Sequence, residues 1–159
     1  MKRFLLVSLL VIVALTGMGQ TREFQEICDK YKEHEDVVSL RVNRFGCFFL
    51  SLFMPAGKES EVVRNFIRHS SSFQLLVTEG EIVRDVTKEI KNYIKKDQLE
   101  ELLNVKDKKD EIKIYSLDDK KVIRQLFISV VDGGKEAVFL QVKGKYSMKM
   151  IQDLAKVNR

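Results

Sequence analysis

The stretch Val122–Lys143 reads VIRQLFISVVDGGKEAVFLQVK, and the fold is decided there. Two runs rich in Val, Ile, Leu and Phe flank Asp132-Gly133-Gly134-Lys135, and glycine tolerates the positive φ that a tight hairpin turn needs. The pattern predicts a strand over 122–131, a turn, and a strand over 137–143. In the first run, Ile123, Phe127 and Val131 stand against Leu126, Ile128 and Val130. Both faces are therefore apolar, which suits a central strand. Just upstream, Ile112–Ser116 predicts a third strand, joined through a turn at Asp118-Asp119-Lys120. The chain thus closes on an antiparallel meander. Ser147 then caps a last helix with Ile151, Leu154 and Ala155 inward.

Toward the N-terminus, helical spacing returns. Over Ile82–Ile94 the residues Val83, Val86, Ile90, Tyr93 and Ile94 share one face, with Lys88, Lys91 and Lys95 opposite. Asp97 and Glu100 have capping-box spacing and predict a short helix through Leu102 and Leu103, with Lys106–Asp110 as a charged loop. Phe73–Val77 predicts a strand, with Ser70–Ser72 breaking the helix before it. That helix starts at Ser60 and turns Val62, Val63, Phe66 and Ile67 inward. Phe24, Ile27, Cys28 and Tyr31 mark a helix over 21–32 capped by Thr21, and Val37–Val42 a strand. The order α-β-α-α-β-α-α-β-β-β-α predicts an α+β domain, with a mostly antiparallel sheet of about five strands and helices packed on one face. No internal repeat or linker divides it.

The first twenty residues have another logic. Lys2 and Arg3 precede an apolar run over Phe4–Leu15, and small residues follow. This is the three-part pattern of a secretory signal peptide, with Gly17 and Gly19 at the −3 and −1 positions and cleavage between Gly19 and Gln20. The run is short of the about 20 apolar residues of a spanning helix. No Cys follows it directly, so an acylated N-terminus is not expected. Residues 20–159 then form the single domain, with no transmembrane helix after cleavage, exported to the periplasm or cell envelope. The whole chain has 159 residues and a net charge of +5. Losing residues 1–19 removes two of the 28 basic residues and none of the 23 acidic ones, leaving +3. Apolar residues make up 45% and charged residues 32%, an ordinary globular balance that excludes a disordered or collagen-like chain. Export would permit a disulfide between Cys28 and Cys47, although two buried free thiols are the more ordinary reading.

The run Leu99–Asp107 leading into Glu111–Tyr115, then Leu126–Asp132 and Val138–Gly144, resembles the domain-of-unknown-function family 4252. That family comprises small exported proteins of Gram-negative envelopes. The resemblance covers about residues 80–157 and is weaker over 22–79. It implies export, one domain and the meander, and it supplies no catalytic residues.

The residues themselves carry little catalytic chemistry. His34 lies in His34-Glu35-Asp36, and neighbours in one loop do not converge on one ion unaided. His69 precedes Ser70, Ser71 and Ser72, but a nucleophilic serine needs its base across space and a third group behind it. Cys47 sits among Phe45, Phe48 and Phe49, an apolar setting that quiets a thiol. The lysines at 88, 91, 95, 96, 106, 108 and 109 alternate with Glu89, Asp97, Asp107 and Asp110, a mixed face that does not point to nucleic acid. No cofactor or metal is expected. The sharpest feature is the uncharged stretch Phe45–Gly57, ended by Pro55 and Gly57. Its residues Phe45, Phe48, Phe49, Leu52 and Phe53 follow helical spacing, and they are either a core helix or a binding surface for an envelope protein or a lipid. The expectation is a non-enzymatic envelope protein that binds a partner or a small apolar ligand. The alternatives are a hydrolase with an unfamiliar site using His69 or His34, and a structural or stress-linked component without a ligand.

Overall fold

The structure is a computed structural model that describes residues 22–52, 54–119 and 121–156. In chain order these form α1 (Arg22–Tyr31), β1 (Val37–Asn43), α2 (Arg44–Leu52), α3 (Lys58–Arg68), β2 (Ser70–Glu79), α4 (Ile82–Lys96), β3 (Glu100–Asp107), β4 (Asp110–Asp119), β5 (Val122–Asp132), β6 (Glu136–Tyr146) and α5 (Met148–Lys156). All six strands join one sheet in the order β1-β2-β6-β5-β4-β3, with every neighbouring pair antiparallel. The predicted meander is present, and β5 sits inside the sheet between β6 and β4. Gly133 and Gly134 take φ of 54° and 73° at the hairpin, where a side chain would be strained.

The sixth strand replaces the helix expected after Asp97. Gln98 takes a positive φ, and the chain leaves α4 directly into β3. Leu103 and Val105 then pair across from Ile114 and Ile112. Alternating Leu103, Asn104, Val105 and Lys106 fit a strand period, and pairing with β4 outweighs the local capping signal. The charged residues Lys108 and Lys109 are the tip of a hairpin rather than a loop between helix and strand. Ser70–Ser72 also differ from expectation, since they open β2 instead of standing outside it. The Gly57 residue, not Ser60, occupies the position before α3.

The helices lie on both faces of the sheet, not on one. On the front face α1 and α4 close a core of Phe24, Ile27, Val83, Val86, Ile90 and Tyr93 over Leu76, Phe127, Phe139 and Tyr115. On the back face α3 and α5 cover Ile123, Leu126, Val142 and Tyr146 with Phe66, Met150, Ile151 and Leu154. The two clusters alternate along each strand, Phe139 against Val142 and Phe127 against Leu126. This is why both faces of β5 read as apolar. As expected, Ser147 caps α5, its Oγ accepting the Met150 N–H at 3.2 Å.

The front core also buries polar groups. Gln125 and Gln141 each donate an amide N–H to the Tyr93 hydroxyl, at 2.7 and 2.8 Å. On the back face the Tyr146 ring stacks on Phe66 with centroids 4.6 Å apart, and its hydroxyl lies 2.6 Å from Ser70 Oγ. Gly144 is required there, because a Cβ would sit 2.4 Å from the His69 carbonyl and 2.6 Å from the Tyr146 ring.

Candidate functional site

The uncharged stretch folds as α2, and α2 is built inside out. Asn43 caps it, Oδ1 accepting the Gly46 N–H at 2.9 Å. Gly46 then lets the helix lie against β1, since a Cβ would fall 2.5 Å from Val42 Cγ1. Its buried residues are Cys47 and Ser51, one turn apart. Ser51 Oγ donates to the Phe48 carbonyl at 2.6 Å. The C-terminal carbonyls, which a helix leaves unpaired, are gathered by Arg64 of α3. Its Nε donates to Ser51 O at 3.1 Å, and Nη2 to Met54 O at 2.8 Å and to Pro55 O at 3.3 Å. A helix of small residues inward can approach a sheet closely, and its large residues are left outside.

Those large residues are Phe45, Phe48, Phe49, Leu50 and Leu52, each 44–66% exposed. The core reading of this stretch is therefore overturned for these positions. The phenyl rings form their own cluster. Phe49 meets Phe45 at 4.8 Å and Phe48 at 6.4 Å, both edge to face. Of the five positions singled out in the sequence, the structure brings Phe45, Phe48, Phe49 and Leu52 together on α2. Phe53 lies outside the described residues, as do Gly19 and Gln20 and the N-cap position Thr21.

The segments at this end of the sheet are rich in basic residues. Residues 44–69 and 145–156 hold seven Lys and Arg (Arg44, Lys58, Arg64, Arg68, Lys145, Lys149, Lys156) against three Glu and Asp. The opposite end of the sheet carries a row of five carboxylates, with Lys108, Lys109 and Lys135 in the adjoining turns. Glu79, Glu136, Asp132, Asp110 and Asp107 stand directly across from one another on five successive strands. The Asp132 carboxylate beside Asp110 raises the Asp110 pKa above its usual value.

The remaining candidates are each engaged otherwise. Cys28 and Cys47 are both free. Cys28 belongs to the front core, whereas Cys47 is on α2 and acts on Tyr146 on the back face, so the disulfide considered from sequence does not form. Burial pushes the Cys28 thiol up to about 12 and the Cys47 thiol up to about 11. His69 Nδ1 lies 2.8 Å from the Asn65 carbonyl, while Ser70 Oγ reaches Phe66 O at 2.9 Å and Ser71 Oγ reaches Lys143 O at 3.2 Å. Ser70, Ser71 and His69 each bond to a backbone carbonyl, and none of these bonds joins one of them to another. His34 Nδ1 accepts the Asp36 N–H at 3.2 Å, an intraloop bond. Among the described residues no three His, Cys, Asp or Glu side chains converge as metal ligands. A groove of about 330 Å³ between α1 and α4 is lined by Glu26, Lys30, Glu89 and Tyr93. Two of its charged groups pair with each other, since Glu89 Oε1 accepts from Lys30 as well as from Tyr31.

Sequence reasoning missed one further surface. Beyond the cover of α3 and α5, the back face carries two aliphatic rows in register across all six strands. One is Leu40, Leu75, Leu140, Ile128, Ile114 and Leu103; the other is Val38, Val77, Val138, Val130, Ile112 and Val105. At the β3–β4 side Leu103, Val105 and Ile112 are 40–46% exposed, while the front-face residues Leu76, Phe127 and Phe139 are fully buried. The doubled apolar pattern in β5 and β6 was the available signal, but it reads equally well as two covered faces.

Fold and site together define a six-stranded α+β protein with a surface of apolar side chains and no assembled catalytic group among the described residues. The chain belongs to the family described as Domain of unknown function (DUF4252), whose model matches residues 31–154. Comparison with curated proteins and with solved structures gives no match. No helix of the described residues is long and apolar enough to cross a membrane.

Proposed function

We propose that this chain is a non-enzymatic, exported protein of the cell envelope that attaches to an anionic lipid surface through α2. The observation that carries the reading is the outer face of α2. Five large apolar side chains project from a helix whose single charge is Arg44, on the basic end of the molecule. Soluble monomers seldom expose such a contiguous patch without use. Apolar insertion and attraction of Lys and Arg to anionic headgroups act together in interfacial helices. Export is supported by the signal-peptide pattern at residues 1–19.

The test is co-sedimentation with vesicles of phosphatidylcholine, with and without phosphatidylglycerol. The protein binds the anionic vesicles more tightly, binding weakens as salt is raised, and Phe49→Ser weakens it several-fold while the chain still unfolds cooperatively within several degrees of wild type. Equal binding by wild type and Phe49→Ser removes α2 as the attachment site. Capture of a stoichiometric protein by α2, with no vesicle binding, replaces the lipid with a protein partner.

A further inference from the structure

We propose that a second copy of this chain covers the two open aliphatic rows, back face against back face. These rows contain no polar side chain from β1 to β3; the inner row borders the cluster under α3 and α5 through Leu140 and Ile114, no residue of the outer row belongs to either core cluster, and Leu103, Val105 and Ile112 are exposed. Strands about 4.8 Å apart and residues about 3.4 Å apart give the rows a flat footprint of roughly 29 by 14 Å, about 400 Å². A stable dimer covers about 800 Å² per copy, so the rows supply about half. The carboxylate row next to them and the flank of α3 and α5 supply the rest. Packed sheets lie about 10 Å apart, close to the thickness of a helix. The end of the partner's sheet therefore lies level with α3 and α5.

Bulk and charge select the orientation. A two-fold axis between the sheets can run along the strands or across them. Along the strands, it brings the helix-covered ends of the two sheets together, where α3 and α5 of each copy collide with the partner, and it stacks Glu79, Glu136, Asp132, Asp110 and Asp107 on the same five carboxylates of the partner, which repel. Across the strands, it sets each acidic row against the other copy's α3 and α5, where Lys58, Arg68, Lys149 and Lys156 stand against Glu59, Glu61 and Asp153, Arg64 being bonded to the end of α2. The second arrangement pairs opposite charges twice and closes the assembly as an isologous dimer.

The experiment is sedimentation velocity over a concentration series, on protein expressed from Met1 and purified as the cell processes it. Wild type sediments as a dimer. Val138→Lys, at the centre of the outer row, and Ile112→Lys, at an exposed position in it, each weaken the dimer at least 100-fold with an unchanged circular dichroism spectrum. Asp132→Asn weakens it several-fold; a tighter dimer in Asp132→Asn overturns the orientation. A wild-type monomer at millimolar concentration, or a dimer untouched by both lysine variants, overturns the proposal. Phe49→Ser leaves the dimer intact while weakening vesicle binding, so the two readings fail separately.

Discussion

Replacing Phe45 with Ala separates a binding helix from a structural one. Phe45 is 66% exposed, and a Phe side chain presents roughly 200 Å², so about 130 Å² is open to water. At about 25 cal/mol per Å², moving all of it out of water is worth about 3 kcal/mol. A ring that settles half into the acyl boundary gains about 1.5 kcal/mol, close to tenfold in affinity. The folded chain loses no more. Ala is the best helix former, and the ring's edge contact with Phe49 is worth about 0.5–1.5 kcal/mol. The assay pairs vesicle co-sedimentation with thermal unfolding. Phe45→Ala binds phosphatidylglycerol vesicles about tenfold more weakly and melts within a few degrees of wild type. Undiminished binding with unchanged melting refutes the reasoning, and collapse of the fold shows that the ring is held by contacts other than those on α2.

Three further outcomes follow from the buried groups and the acidic row. Tyr93→Phe strands the amides of Gln125 and Gln141 and lowers unfolding free energy by about 2 kcal/mol, measured by urea denaturation. Cys47, raised from 9.0 to about 11 by burial, reacts with a thiol reagent at pH 8 about 100-fold more slowly than an exposed thiol; denaturation releases two reactive thiols, and fast native reaction would contradict the packing of α2. Asp110 has a folded pKa raised by Asp132, so its ionisation costs stability as pH rises through that raised value, and the loss is recovered as pH falls. Carboxyl NMR titration of Asp132→Asn shows the Asp110 midpoint falling back toward the ordinary range.

The meander was legible because turn chemistry and period agreed. Asp132-Gly133-Gly134-Lys135 demands positive φ, and the runs on either side alternate. The helix α4 was legible for the same reason, with five inward positions at helical spacing. The segment after Asp97 misled because its strongest local signal, two acidic residues three apart, competes with a pairing to β4 that lies outside any short window. The α2 stretch was ambiguous in principle. Uniform apolarity fixes a helix but not its buried face, and what turned it outward is the size of Gly46, Cys47 and Ser51 against β1 and β2. The open back face was hidden by its own regularity. Val130 and Leu140 have the same pattern whether a helix, a second copy or water lies over them.

The two surfaces are connected through symmetry. Gly46 seats α2 against Val42 of β1, so α2 lies at the β1–β2 side of the sheet. An axis running across the strands leaves each β1 over its counterpart. Both copies of α2 then flank the point where the axis emerges, and both can meet one lipid surface. An axis along the strands would place them at opposite edges, where a flat membrane engages one at a time. Attachment of the dimer is therefore bivalent, and linked sites gain roughly 100-fold or more in avidity without a new contact. Val138→Lys, which lies outside α2, should thus weaken binding to large anionic vesicles by at least tenfold while leaving a monomer whose residual binding still weakens as salt is raised. If the monomeric variant binds as tightly as the dimer, the two helices do not face the same surface, and the axis lies elsewhere.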